Sequence, residues 1–167
     1  SSNDPDEDPF NFSLSGNGTD TPPEEVEILN EDFEDGDANG WLMNGTIGID
    51  GILAIGNYSL RHTKSGTSEL SVSTVGYTNV SVTMNLAASS KDNGEICYAE
   101  ISTDGGSSWI TVVELDNNDN DSVFNSGNVS VPEADDNPDL LLRFRSTGGK
   151  QPDYCYGDNV LVSGFLN

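Results

Sequence analysis

Chemistry in this chain rests on oxygen. Of 167 residues, 29 are Asp or Glu and 6 are Lys or Arg, a formal net charge of −23. Against that excess there is one histidine, His62, and one pair of thiols, Cys97 and Cys155. A nucleophilic serine or cysteine therefore has a single histidine base to draw on, and no serine lies in a Gly-x-Ser-x-Gly elbow. The segments Ile96-Cys97-Tyr98 and Tyr154-Cys155-Tyr156 read as strands, and in an exported chain their thiols are expected to form one disulfide between neighbouring strands. Carboxylate pairs of the glycosidase kind arise by chance among so many acids and carry no weight. Catalysis is not expected.

The charge itself excludes partners and invites others. Binding phosphates requires basic groups this surface lacks, so nucleic acid is not a partner. Self-repulsion on this scale is offset by bound cations or by salt, and calcium is the economical cation because it takes hard oxygen ligands. Two acidic runs imitate cation loops. Asp35, Asp37, Asn39 and Gly40 match the opening of an EF-hand loop, yet Thr46 stands where its bidentate Glu belongs, so a turn is expected. Residues 116–121, Asp-Asn-Asn-Asp-Asn-Asp, read as a solvated hairpin tip. Glycosylation sequons begin at Asn11, Asn17, Asn44, Asn57, Asn79, Asn120 and Asn128.

What must position these groups is a set of strands. Val80, Val82, Met84 and Leu86 alternate with Ser81, Thr83 and Asn85, the period of a half-buried strand. Further strands are expected at 96–101, 110–115, around Leu140, Leu142 and Phe144, and at Val160 and Val162. Shorter ones fall at 47–55, 58–63, 69–75 and 123–131. Between two of them, Ser102-Thr103-Asp104-Gly105-Gly106-Ser107-Ser108-Trp109 reads as a tight hairpin similar to a sialidase Asp-box, with Trp109 packing on its own turn. Eight or nine short strands divided by Gly, Asn and Asp make an all-β antiparallel sandwich over residues 30–167. No run of 18 apolar residues exists to span a bilayer, and Ser1 reads as a mature terminus after export to the cell exterior or surface.

A resemblance sharpens this. Residues 30–36, Asn-Glu-Asp-Phe-Glu-Asp-Gly, then Gly40-Trp41, and the closing Tyr156-Gly157-Asp158-Asn159-Val160, resemble the terminal strands of jelly-roll carbohydrate-binding modules and related modules at the ends of secreted marine-bacterial enzymes. Residues 76–82 and the Asp-Gly-Gly-Ser-Ser-Trp hairpin are similar to them too. The resemblance implies a structural calcium held by Glu34 and Asp158, with Asp32 as a third ligand. On this reading the chain binds polysaccharide without catalysis, and Trp41, Tyr58, Tyr77 and Tyr98 are the candidate sugar-stacking rings, each of which could instead be core.

The remaining segment, residues 1–29, is an acidic arm. It contains one isolated alternation within residues 9–15, where Phe10, Phe12 and Leu14 would share one face and Asn11 and Ser13 the other. Such a strand needs another sheet's edge. The principal functional expectation is therefore a homopolymer: an extracellular filament whose subunits insert residues 9–15 into a neighbour's sandwich. The non-catalytic carbohydrate-binding module is the alternative.

Overall fold

The structure, a computed structural model, describes residues 22–149 and 153–167. Nine strands run in the order β1 (Glu25–Glu31), β2 (Leu42–Asp50), β3 (Ser59–Val72), β4 (Tyr77–Ser89), β5 (Cys97–Ser102), β6 (Ile110–Leu115), β7 (Asn125–Val129), β8 (Leu140–Ser146) and β9 (Tyr154–Leu166). Single 3₁₀ turns at Asn117–Asp119 and Pro132–Ala134 are the helical elements among the described residues. No described helix is long and apolar enough to cross a membrane.

The sheet is antiparallel, in the order β6-β5-β8-β3-β9-β4-β7, with β2 added beside β3 and β1 beside β9. β3 joins two layers. Its residues 60–63 pair with β9, whereas residues 66–72 pair with β8. At the fold between these halves, β2 and β3 shift register together where Gly45 meets Gly66. A Cβ on Gly45 would lie 2.9 Å from the Gly66 Cα, and the Gly45 φ of +123° is one that side-chain-bearing residues rarely adopt.

Alternation dictates the core. Leu140, Leu142 and Phe144 of β8 and Val80, Val82, Met84 and Leu86 of β4 are fully buried, while Leu141, Arg143 and Arg145 face out. Each fully buried aliphatic or aromatic side chain contributes about 1.5–3 kcal/mol of transfer free energy. The layers meet closely at Gly157, where an added Cβ would sit 2.6 Å from the Phe144 ring. Cys97 and Cys155 form a disulfide with a Cα–Cα distance of 5.6 Å. It joins β5 to β9, which are not hydrogen-bonded to each other, so the bond crosses between layers rather than linking neighbouring strands.

The domain also starts earlier than residue 30. Residues 25–29 belong to β1, paired with β9 from Phe165 to Val160. Val26, Ile28 and Leu29 are half-buried between exposed glutamates, and that charge hid a short strand inside an acidic stretch. The expected strands at 58–63 and 69–75 are one element, β3, because the intervening Lys64, Ser65 and Gly66 form the bend and not a break.

Candidate functional site

Pairing places charged and aromatic side chains in rows across the outer face of the layer formed by β6, β5, β8, β3 and β2. Tyr98 of β5 lies opposite Arg145 of β8, which lies opposite Thr67 of β3 and then Asn44 of β2. One row along, Glu100 faces Arg143, then Glu69, then Leu42. Neighbouring strands are about 4.8 Å apart, so five of them offer a face roughly 19 Å wide.

Glu100 organises this face. Its carboxylate is 5% exposed and accepts from Arg143 Nε at 2.9 Å and Nη2 at 2.8 Å, and from Arg145 Nε at 3.1 Å and Nη2 at 3.0 Å. Burial alone would raise its pKa, but the Arg145 and Arg143 hydrogen bonds and charges outweigh burial and hold it below the usual carboxylate range. The same contact raises Arg145. Each guanidinium is also stacked, Arg143 3.4 Å from the centre of Trp109 and Arg145 3.8 Å from that of Tyr98. Such contacts are worth about 0.5–2 kcal/mol each and fix the ring planes. Trp109 is delivered by the hairpin, where Asp104 accepts from Ser108 N at 2.9 Å, Ser108 Oγ at 2.6 Å and Ser102 Oγ at 2.8 Å. Those bonds, the Ser108 hydroxyl first, pull Asp104 down to about 2.

Two grooves flank the Glu69–Arg143 pair. One, of about 370 Å³, is lined by Asn44, Thr67, Arg145 and Thr147, and the other, of about 330 Å³, by Leu42, Glu69, Ser71 and Leu141. Half-exposed flat rings beside carboxylates and guanidiniums offer an apolar face for stacking and bidentate hydrogen-bonding partners.

The four rings anticipated from sequence are not brought together. Trp41 is core, stacked 5.6 Å from Phe144 and 5.8 Å from Phe33, so it offers no face to a sugar. Tyr77 is half-buried against the core, and Tyr58 is exposed in the loop joining β2 to β3. Tyr98 alone stands on the rows described above. Trp109 lies against its own turn as expected from sequence, near Gly106, but its stacking with Arg143 was not foreseen, and Arg143, Glu100 and Arg145 were not singled out. The signal was present in the alternation of Arg143 and Arg145 with Leu142 and Phe144, since two of six bases fall on one face of one strand.

At the other end of the fold, Glu34 and Asp158 pin residues 51–58. Glu34 accepts from Asn57 N and Nδ2, both at 2.7 Å, and from Tyr58 N at 2.9 Å, and these bonds, Tyr58 first, lower its pKa. Asp158 is fully buried and accepts from Ile55 N at 2.7 Å and its neighbour Asn159 N at 2.8 Å. Burial, with the charges of Glu34 and Asp32 added, pushes Asp158 up to about 6. Asp32 accepts from Glu34 N at 3.1 Å. The charges of Glu34 and Asp32 act on Asp158, and none of the three joins the ion pairs made by Arg61, Arg143 and Arg145 among the described residues, but their oxygens do not gather within the span of one ion as those of Asp92, Glu95 and Asp153 do. Glu34 has less to offer, because three N–H groups already occupy it.

The other acidic runs are turns. Asp35 accepts from Asp37 N and Asp37 from Asn39 N, and Asp116 caps a 3₁₀ turn. A cluster not foreseen from sequence joins Asp92, Glu95 and Asp153, whose oxygens approach within 4.8 Å of one another. Buried Lys91 lies alongside, its Nζ donating to Ser146 Oγ at 2.9 Å and Thr147 O at 2.6 Å, and burial lowers its pKa. Of the sequons, Asn44, Asn57, Asn79 and Asn128 are exposed and Asn120 is half-buried. Asn11 and Asn17, like Phe10, Phe12 and Leu14, lie outside the described residues.

The architecture is an antiparallel β-sandwich shared with solved carbohydrate-binding modules and an adhesin domain. The module TmCBM61, solved with β-1,4-galactotriose, superposes with a TM-score of 0.63 at 15% identity, covering 85% of this chain and 99% of that one. The CBM22-1 xylan-binding domain of Xyn10C from Paenibacillus barcinonensis gives 0.60 at 18% identity, over 87% and 99%. The K3 cleaved adhesin domain of Lys-gingipain from Porphyromonas gingivalis gives 0.59 at 13%, over 84% and 99%. No protein-family model matches the sequence. No curated protein matches it either.

Proposed function

We propose that this chain is a non-catalytic carbohydrate-binding module of an exported protein, and that it holds a neutral polysaccharide across the outer face of β5, β8, β3 and β2. The observation that carries this is the Trp109–Arg143–Glu100–Arg145–Tyr98 array, two flat stacks locked by one carboxylate on a sheet face flanked by grooves. Its support in the fold is that structures of this architecture include modules solved as galactotriose-bound and xylan-binding domains. A net charge of −23 disfavours polyanionic glycans. His62 is buried and pushed down to about 3, chiefly by that burial, and both thiols are in the disulfide, so neither the histidine nor a cysteine is available for catalysis.

Calcium belongs to the proposal as a structural ion at Asp158 and Asp32, with Glu34 completing the set. A bound ion would supply positive charge beside Asp158, on which the charges of Glu34 and Asp32 act. Titration calorimetry against β-1,4-galactan, xylan and a polyuronate tests the reading. Binding to a neutral glycan that falls about 5–30-fold in each of Trp109→Ala and Tyr98→Ala is expected, since stacked rings contribute about 1–2 kcal/mol each. Wild-type affinity in both variants would refute the site.

A further inference from the structure

Among the described residues, β1, β2, β6 and β7 each pair with a single neighbour and so border the sandwich. Three of them are shielded. β1 carries Glu25, Glu27 and Glu31, and β7 is five residues long. β6 lies under β7, where a Cβ on Gly127 would fall 2.2 Å from the Val112 carbonyl oxygen. Natural sheets blunt their edges with such charges, short strands and covers. β2 has none of these from Leu42 to Ile49: no charge and no proline in a chain with 29 acids. Leu42 and Met43 on it are 77% and 42% exposed, and past the register shift at Gly45 the strand alternates half-buried Ile47 and Ile49 with exposed Thr46 and Gly48.

We propose that residues 46–50 of β2 are a strand-addition site and that its occupant is residues 9–15 of a second copy of this chain. The match is one of pattern. Phe10, Phe12 and Leu14 would continue the layer of Ile47 and Ile49, which already pack on the core, while Asn11 and Ser13 would stand beside Gly48. Between Pro9 and Ser15 the segment is as free of charge as residues 46–49 of the edge it would join, where the following Asp50 is paired with Arg61, although acids precede it at Asp4, Asp6, Glu7 and Asp8.

Chain length favours a second copy over the same one. β1 begins at Glu25 opposite Phe165, whereas residues 46–50 lie beyond the β3 residues that pair with 154–157 of β9. Those two places are about 26 Å apart along β9, at about 3.3 Å per residue. The ten steps from Ser15 to Glu25 reach at most about 33–36 Å, so spanning to the molecule's own edge would use up about three quarters of the spacer's reach and much of its freedom. A neighbour makes no such demand. Repeated head to tail, the contact builds a filament.

Copies bearing −23 each repel, so association strengthens with ionic strength. Sedimentation velocity on the full chain, from 0.15 to 1 M NaCl, is the test. The expected result is concentration-dependent association that weakens at least tenfold in Phe10→Ser/Phe12→Ser, at about 1.5–3 kcal/mol per buried ring, or about 10–150-fold. Thr46→Glu/Gly48→Glu, on exposed positions with open space at Gly48, should match it while keeping the wild-type melting temperature. A strictly monomeric wild type at 1 M salt overturns the proposal, as does association indifferent to either variant. So would Phe10-dependent protection of β2 amides in a monomer, which would place the segment on its own molecule.

Discussion

Two fully buried groups, His62 and Asp158, titrate in opposite senses over the same pH range, and their opposition can be dissected. Burial, helped by Lys91, pushes His62 from 6.5 down to about 3, so the unfolded chain takes up its proton first. Stability from His62 is complete above pH 6.5 and drains away as pH falls toward 3. Between pH 7 and 5 the loss is about 2 kcal/mol, at 1.36 kcal/mol per unit below the unfolded pKa. Asp158 runs the other way. Burial and the neighbouring Glu34 and Asp32 push it from 3.8 up to about 6, so its ionised form strains the fold at pH 7 and protonation relieves that between 6 and 3.8. Relief by pH 5 is about 1 kcal/mol.

The metal-free wild type should therefore lose under about 1 kcal/mol between pH 7 and 5, because the histidine loss and the aspartate gain largely cancel. Asp158→Asn removes the gain and exposes the full histidine loss of about 2 kcal/mol. His62→Gln removes the loss, leaving a protein that grows more stable on acidification by about 1 kcal/mol. Calcium-loaded wild type should behave like Asp158→Asn, because the cation draws the Asp158 pKa back down. Urea unfolding in EDTA at pH 7, 6 and 5 and fixed ionic strength, with a parallel calcium series for the loaded protein, measures all four. Relief of the general −23 repulsion is common to every variant and cancels between them. Glu34, Glu100 and Asp104 are held low and contribute their losses only below about pH 4.5. Identical pH slopes for Asp158→Asn and wild type in EDTA would refute the reasoning.

Other expectations follow from single contacts. Chelation of a calcium held at 100 times its dissociation constant should cost about 2.7 kcal/mol and lower the melting temperature, and an unchanged melt would remove the ion from the account. Replacing both cysteines by serine opens a loop of sequence separation 58, which chain entropy values at about 4 kcal/mol, read as a lower urea midpoint. Gly157→Ala forces a methyl to within 2.6 Å of Phe144 and should destabilise by about 1–3 kcal/mol in the same assay. Glu100→Gln unlocks both guanidiniums and the rings they hold, at a cost in stability. Glycan affinity of the folded variant should drop about tenfold by calorimetry, and unchanged affinity would mark the array as merely structural.

What could be read without coordinates divides by range of interaction. Alternation is local, so Val80 to Leu86 and Leu140 to Phe144 announced their strands, and turn chemistry announced the Asp104 hairpin. Glu25 to Leu29 did not announce itself, because glutamates on the solvent side of a short edge strand look like linker. The face was less legible for a different reason. Its members come from β5, β8, β3 and the Trp109 hairpin, elements far apart in the chain, and only pairing register brings Glu100 between two arginines. Aromatic residues gave no guide on their own: Trp41 follows a glycine turn as Trp109 does, yet one is wedged between Phe33 and Phe144 and the other lies under a guanidinium. The better clue was scarcity. The chain has six bases and buried Glu100 claims two of them, whereas buried Asp158 claims none, so following the rare charge rather than the abundant one leads to the face.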